Sequence, residues 1–198
     1  MAETETTHAL FALFIPVCWL IWATIWFVAA RSVKKTTRRE DDISRLTNSA
    51  PLFIAGVLLA FPRQWLGILG AGLHLVGFAT YILAAVLVAV GLGLAIWARY
   101  HLGRNWSGVI TVKEDHTLVR TGPYALVRHP IYTGLLVAII GSAIARADLA
   151  ALVAIACASF SIIRRVDIEE RWMSETFGEA YARYRLETPA LVPFAGSG

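Results

Sequence analysis

Charge is scarce in this chain. Asp, Glu, Lys and Arg make up 16% of its 198 residues, against about 25% in an ordinary soluble domain, and the mean hydropathy is +0.61. That shortage excludes a fold solvated on every side. Cysteine is scarce too. Cys18 and Cys157 both lie inside apolar runs with no partner at patterned spacing, which excludes a disulfide framework and leaves two small buried hydrophobes. His, Cys and carboxylates never cluster at metal-ligand spacing, so no metal site is expected. Internal repeats and low-complexity tracts are missing, as is the strand, glycine-loop, helix signature of soluble nucleotide-binding folds. There is no basic leader before the first apolar run, only Glu3 and Glu5. That run, 9–30, is also longer than the core of a signal peptide, so it reads as a retained helix.

What the chain has in quantity is long apolar runs, several approaching the ~20 residues needed to cross a bilayer. They predict a single all-α membrane-embedded domain, 1–198, with five spans at 9–30, 49–61, 76–98, 131–145 and 149–163. Three of these are short. At 1.5 Å per residue, about 15 residues reach only ~22 Å of a ~30 Å hydrocarbon core, so flanking turns must extend them or the bilayer must thin. The stretch 65–75, broken from the second span by Pro62-Arg63-Gln64, reads as a short interfacial helix. Arg146-Ala147-Asp148 is the turn that makes spans four and five a helical hairpin.

Charge placement gives an independent reading of the topology. Sixteen of the eighteen basic residues fall in the loop after span one, the loop after span three and the tail, leaving only Arg63 and Arg146 for the other face. By the positive-inside rule the rich face is cytoplasmic, which puts the N-terminus outside and the C-terminus in the cytoplasm of a plasma or inner membrane. The net charge of +4 is thereby assigned to topology and lipid headgroups rather than to nucleic acid.

The remaining unusual residues then collect on the cytoplasmic face, in two blocks, 116–134 and 164–194. Pro130 suits the first turn of span four, where no amide hydrogen is needed, and it forces His129 into an extended conformation. Arg128 and His129 are thus held beside a helix N-terminus, a place that favours anions, and Arg128 offers a planar fork suited to a carboxylate. If span five continues as a helix, Arg165 lies one turn before Glu169 and can pair with it. Glu170 then points about 100° away, free to meet a ligand cation. An arginine–histidine element opposite a carboxylate, with tyrosines between, suits a zwitterion that carries a ring, such as S-adenosylmethionine. Taken singly, the same residues are equally satisfied as a cytoplasmic anchor, a solvated helical face and an interfacial aromatic belt.

Three stretches carry a more specific pattern: LGRNWSG (102–108), HTLVRTGPYALVRHPIYTG (116–134) and EERWMSETFGEAYARYRLETPALVPF (169–194). Together and in order they resemble the isoprenylcysteine carboxyl methyltransferase family and its bacterial relatives, grouped with the phospholipid N-methyltransferases. The resemblance covers about half of the chain, 99–194. It implies an integral membrane enzyme that holds S-adenosylmethionine in a cytoplasmic pocket between the RHP segment and the EE helix. His116, Leu118, Val119, Tyr124, Arg128, His129, Tyr132 and Glu170 would contact the cofactor, and Glu170 and Arg165 would handle a lipophilic acceptor. Carboxylate, amine and thiol acceptors all remain open, as does the oligomeric state. Gly91-Leu92-Gly93 is similar to a G-x-G of the phospholipid methyltransferases, although close helix packing is the preferred reading of it. The competing enzyme class is an NADPH-dependent membrane reductase of the sterol reductase type, which shares the R-H-P-x-Y element.

Overall fold

The computed structural model describes residues 2–31, 36–39, 41–73, 77–103, 111–113 and 118–193. Among these, six α-helices carry the fold: α1 (Ala2–Ala29), α2 (Asp42–Ala60), α3 (Phe78–Leu102), α4 (Pro130–Arg146), α5 (Leu149–Phe177) and α6 (Glu179–Glu187). By length and composition α2, α3 and α5 can each cross a membrane, while Leu13–Ala29 of α1 and the whole of α4 are apolar but shorter. Leu20, Phe27, Phe53, Val90 and Phe160 on these helices are all more than half exposed. Helices that are apolar outside as well as inside belong in hydrocarbon. The architecture is that of an all-α membrane protein.

Two of the three short runs turn out to be the apolar portions of longer helices. α2 starts at Asp42 rather than 49, because Asp41 caps it, accepting from the Ser44 amide at 3.1 Å. α5 does not stop at 163. It continues to Phe177, where Gly178 (φ 50°) turns the chain. Polar bonds to α2 carry it past its paired arginines: Ser161 Oγ donates to the Asn48 carbonyl, Arg164 Nε to Asn48 Oδ1 at 3.0 Å, and Arg165 Nη2 to Ser49 Oγ at 2.9 Å. α4 remains short, bounded by Pro130 and by Ala147, whose φ of 46° ends the helix. The next residue, Asp148, caps α5 by accepting from the Ala151 amide at 2.9 Å, so the expected hairpin turn is present.

The interfacial helix expected over 65–75 does not form across 65–73, the part of it among the described residues. The chain instead makes two 3-10 turns, Arg63–Trp65 and Gly67–Gly70, separated by the positive φ (53°) of Gly67. A small antiparallel ribbon, not expected from the sequence, joins the loops after α1 and α3. β1 (Thr36–Arg39) pairs with β2 (Thr111–Lys113), in register Arg38 with Val112.

The bundle is tightest between α3 and α4, where side chains are small. Ala84, Gly91 and Ala95 meet Gly134, Ala138 and Gly141, all buried. A Cβ on Gly91 would lie 2.5 Å from the Gly134 carbonyl oxygen, whereas one on Gly93 would meet nothing within 4 Å. Close helix approach therefore accounts for the first glycine of that G-x-G. Trp19 of α1 docks on α4 by donating to Ser142 Oγ at 3.0 Å. The apolar core around Val88, Leu92, Leu135 and Ile162 then runs up to Tyr132 and Leu191.

Candidate active site

Pro130 opens α4 without an amide hydrogen, so the chain just before it cannot enter the helix ladder. His129 occupies the N-cap position at φ −124°, ψ 60°, and no side chain caps the helix there. The two preceding amides find partners elsewhere: Arg128 N–H donates to the Pro189 carbonyl at 2.9 Å and His129 N–H to the Ala190 carbonyl at 3.0 Å. Local chemistry thus fixes Arg128 and His129 at the mouth of α4. The uninterrupted α5 brings Glu169 and Glu170 opposite them.

Glu170 is the centre of the cluster. Its Oε1 accepts from Arg128 Nε at 2.7 Å and lies 3.0 Å from His129 Nε2. Its Oε2 pairs with Arg185 Nε of α6 at 3.1 Å. Burial raises its pKa, but hydrogen bonds from His129 and Arg128, together with their charges, outweigh that and bring it down to about 2. His129 shows the converse balance. Burial disfavours its imidazolium, yet bonds to Glu169 and Glu170 more than offset that and raise its pKa. Glu169 is the more open carboxylate, 26% exposed against 12% for Glu170. It accepts from the Tyr132 hydroxyl and lies 3.4 Å from His129 Nδ1. The rings of His129 and Tyr132 stack at 5.9 Å.

Five of the expected site residues therefore stand at one end of α4 and α5: Arg128, His129, Tyr132, Arg165 and Glu170. Arg165 behaves differently from the helical pairing expected of it. Among the described residues no ion pair joins it to Glu169. It donates to Ser49 Oγ, while its Nε is buried without an acceptor among the described residues. Leu118 and Val119 are half-buried on the segment entering the 3-10 turn Gly122–Ala125. Tyr124 is buried in that turn, its ring 6.4 Å from His101 and its carbonyl accepting from the Tyr184 hydroxyl. His116 lies outside the described residues.

Sequence reasoning passed over three participants. Arg185 was counted only as a basic charge of the tail, and Thr133 and the carbonyls of 185–191 were not considered. Thr133 carried the one available signal, a hydroxyl one residue beyond the tyrosine of R-H-P-x-Y. Backbone acceptors leave no trace in residue type.

Fold and site together define a membrane-embedded helical protein with a cluster of ionisable groups at one end of an apolar bundle. The phospholipid methyltransferase family model matches residues 79–180, just over half of the chain, and the chain belongs to that family. The matched residues run from α3 into α6 and include both the RHP segment and the Glu169–Glu170 pair. Among curated proteins the chain is 30% identical over 95 residues to protein-S-isoprenylcysteine O-methyltransferase B of Arabidopsis thaliana, covering 46% of this chain and 48% of that one. It is 35% identical over 95 residues to the cobalt-zinc-cadmium resistance protein CzcN of Cupriavidus metallidurans, covering 46% and 43%. A longer match, 24% identical over 176 residues, covers 87% of this chain and 72% of the protein-S-isoprenylcysteine O-methyltransferase of Dictyostelium discoideum. The chain spans about half the length of the first of these relatives.

Proposed function

We propose that the protein is an S-adenosylmethionine-dependent methyltransferase acting on a lipophilic acceptor at the cytoplasmic face of the membrane. The family match across 79–180 carries this reading, because it encloses the Arg128–His129 segment and both carboxylates. The residues fit the donor. A zwitterion needs a carboxylate for its ammonium and an N–H for its own carboxylate. Glu169 keeps open surface, and Arg165 Nε is a buried donor lacking an acceptor. An unsatisfied buried donor costs about 1–3 kcal/mol, which an anionic oxygen would recover.

In this reading Glu169 and Glu170, with His129 and Tyr132 fixing their orientation, hold the ammonium end of the donor. Leu118, Val119 and Tyr124 offer apolar and aromatic surface to its adenosine. His116 joins them by family resemblance alone. Arg165 faces whichever anion, from donor or acceptor, reaches the cytoplasmic end of α5. When bound, the donor supplies an electrophilic methyl on a sulfonium, which leaves as a neutral thioether once an acceptor lone pair has attacked. The protein's part is to align and desolvate.

The carboxylates also bear on the acceptor. Glu170, held near pKa 2 by its cationic neighbours, stays ionised at neutral pH and is a poor proton acceptor. An acceptor that is already anionic needs no base, whereas an amine or thiol does. A prenylcysteine-like carboxylate is therefore the favoured acceptor, in keeping with the names of the relatives from Arabidopsis thaliana and Dictyostelium discoideum. Calorimetry of the detergent-solubilised protein tests the donor. Saturable binding of S-adenosylmethionine and none of NADPH is expected. Binding of NADPH alone would replace methyl transfer with reduction.

A further inference from the structure

The segment that follows α6 lies beyond the family match, which ends at residue 180, yet it is bonded into the site at several points. Arg128 Nη1 donates to the carbonyl of Arg185 at 3.1 Å and to that of Thr188. The amides of Arg128 and His129 donate to Pro189 and Ala190. Thr133 Oγ1 lies 2.7 Å from the Leu191 carbonyl and 3.2 Å from that of His129, its single proton serving both. Leu191 packs on the apolar core, and Thr188 is buried. Residues 188–191 thus form a strap across the mouth of α4.

The guanidinium of Arg128 is the latch of this strap. Its side chain is only 4% exposed, and its Nε bonds to Glu170. A buried guanidinium is tolerated only when its donors are paired. Here the pairing is spent on two tail carbonyls and on the carboxylate that His129 also holds. Lysine keeps the charge but cannot hold a fork of this kind.

We propose that Arg128 is a positioning residue: it closes the 188–191 strap over the site and, through the strap, sets His129 and Glu170, rather than binding the donor's carboxylate itself. The inference rests on the methyl-donor reading above for its ligand, although the strap can be tested without one. The strap's role is to fill the donors left open where Pro130 starts α4, so that the His129 ring faces both carboxylates.

The test uses the full-length protein with Arg128→Lys, and with Thr133→Val as a second, milder release of the strap. Binding of S-adenosylmethionine is compared with binding of its decarboxylated analogue. Arg128→Lys should weaken both by a similar factor, roughly ten- to hundredfold, with the ratio between them unchanged. Thr133→Val should do the same to a lesser degree, roughly two- to tenfold. Without ligand, amide exchange over 188–193 should quicken in both variants. By nitrogen NMR the His129 ring should also titrate nearer its ordinary value. A residue that merely stabilises the fold would lower the thermal midpoint and leave that titration in place. If Arg128→Lys brings the ratio of the two ligands to about one, Arg128 contacts the donor's carboxylate and the proposal is overturned. Unchanged exchange over 188–193 in both variants overturns it as well. Binding of neither adenosyl compound by the unmodified protein would instead remove the methyl-donor reading, with exchange and titration still deciding the strap.

Discussion

Adding one methyl group at Gly91 probes whether the α3–α4 seam sets the geometry of the site. The new Cβ would lie 2.5 Å from the Gly134 oxygen, 2.6 Å from the Ala138 nitrogen and 3.1 Å from its Cα. All three are backbone atoms, so no side-chain rotation relieves the overlap. Ordinary contact begins at 3.4 Å, and the two helices would have to part by about 1 Å in a close-packed interior. Overpacking of this sort costs about 1–3 kcal/mol, offset by the ~1 kcal/mol gained when alanine replaces a helical glycine. Gly91→Ala should therefore be destabilising by up to about 2 kcal/mol. Gly93→Ala, which meets nothing within 4 Å, should show only the gain. Thermal unfolding of the two variants in the same detergent reads the opposite signs directly. Because α4 carries His129 and Tyr132 at its start, Gly91→Ala should also weaken donor binding, a 1 Å misplacement costing up to roughly a hundredfold in rate. Equal stability of the two variants would refute the packing argument.

Stability should depend on pH from both sides. Glu170, depressed from 4.5 to about 2, contributes stability that is present above 4.5 and lost as pH falls towards 2. His129, raised from 6.5, contributes stability that is present below 6.5 and lost as pH rises through its folded value. The thermal midpoint should hold between these limits and fall outside them, with the acid limb flattened in Glu170→Gln. Reporters fused after Ser197 and within the turn at Ala147 should report opposite sides of the membrane; the same side for both would end the five-span topology. Acceptors with longer apolar tails should show a lower KM at little-changed kcat, since each buried CH₂ is worth about 0.8 kcal/mol and tail binding is uniform. Equal efficiency with short water-soluble acceptors would point to entry from the cytosol.

Local chemistry was readable wherever one residue type forces one conformation. Pro130 announced the start of α4 and the extended His129, and Arg146-Ala147-Asp148 the turn between α4 and α5. The apolar runs marked five of the helices. Their ends were less legible, because α2 and α5 extend through polar residues held by each other: Asn48 and Ser49 against Ser161, Arg164 and Arg165. Long-range pairing of that kind is invisible to periodicity. The same limit applies to the 65–75 stretch, whose apolar residues suggested a helix that Gly67 and Gly70 divide into turns. Within the site, the charged residues were legible by type but their partners were not. Helical spacing suggested Arg165 with Glu169 and an open Glu170, whereas tertiary placement gives Glu170 three donors and Arg165 a serine on α2.

The unbroken length of α5 makes it a ruler. Asp148 caps one end, and Glu169 stands about 32 Å further along at 1.5 Å per residue, close to the ~30 Å depth of bilayer hydrocarbon. The distance of the carboxylates from the opposite face is thus fixed by the rise of one continuous helix rather than by a loop that could adjust. In a thicker bilayer the rod cannot lengthen, so the carboxylate pair would be drawn towards hydrocarbon. In a thinner one it must tilt or stand clear of the interface. The depth at which a lipid-borne group meets this site is therefore a property of the membrane as much as of the protein, and the same chain should work at different rates in lipids of different chain length.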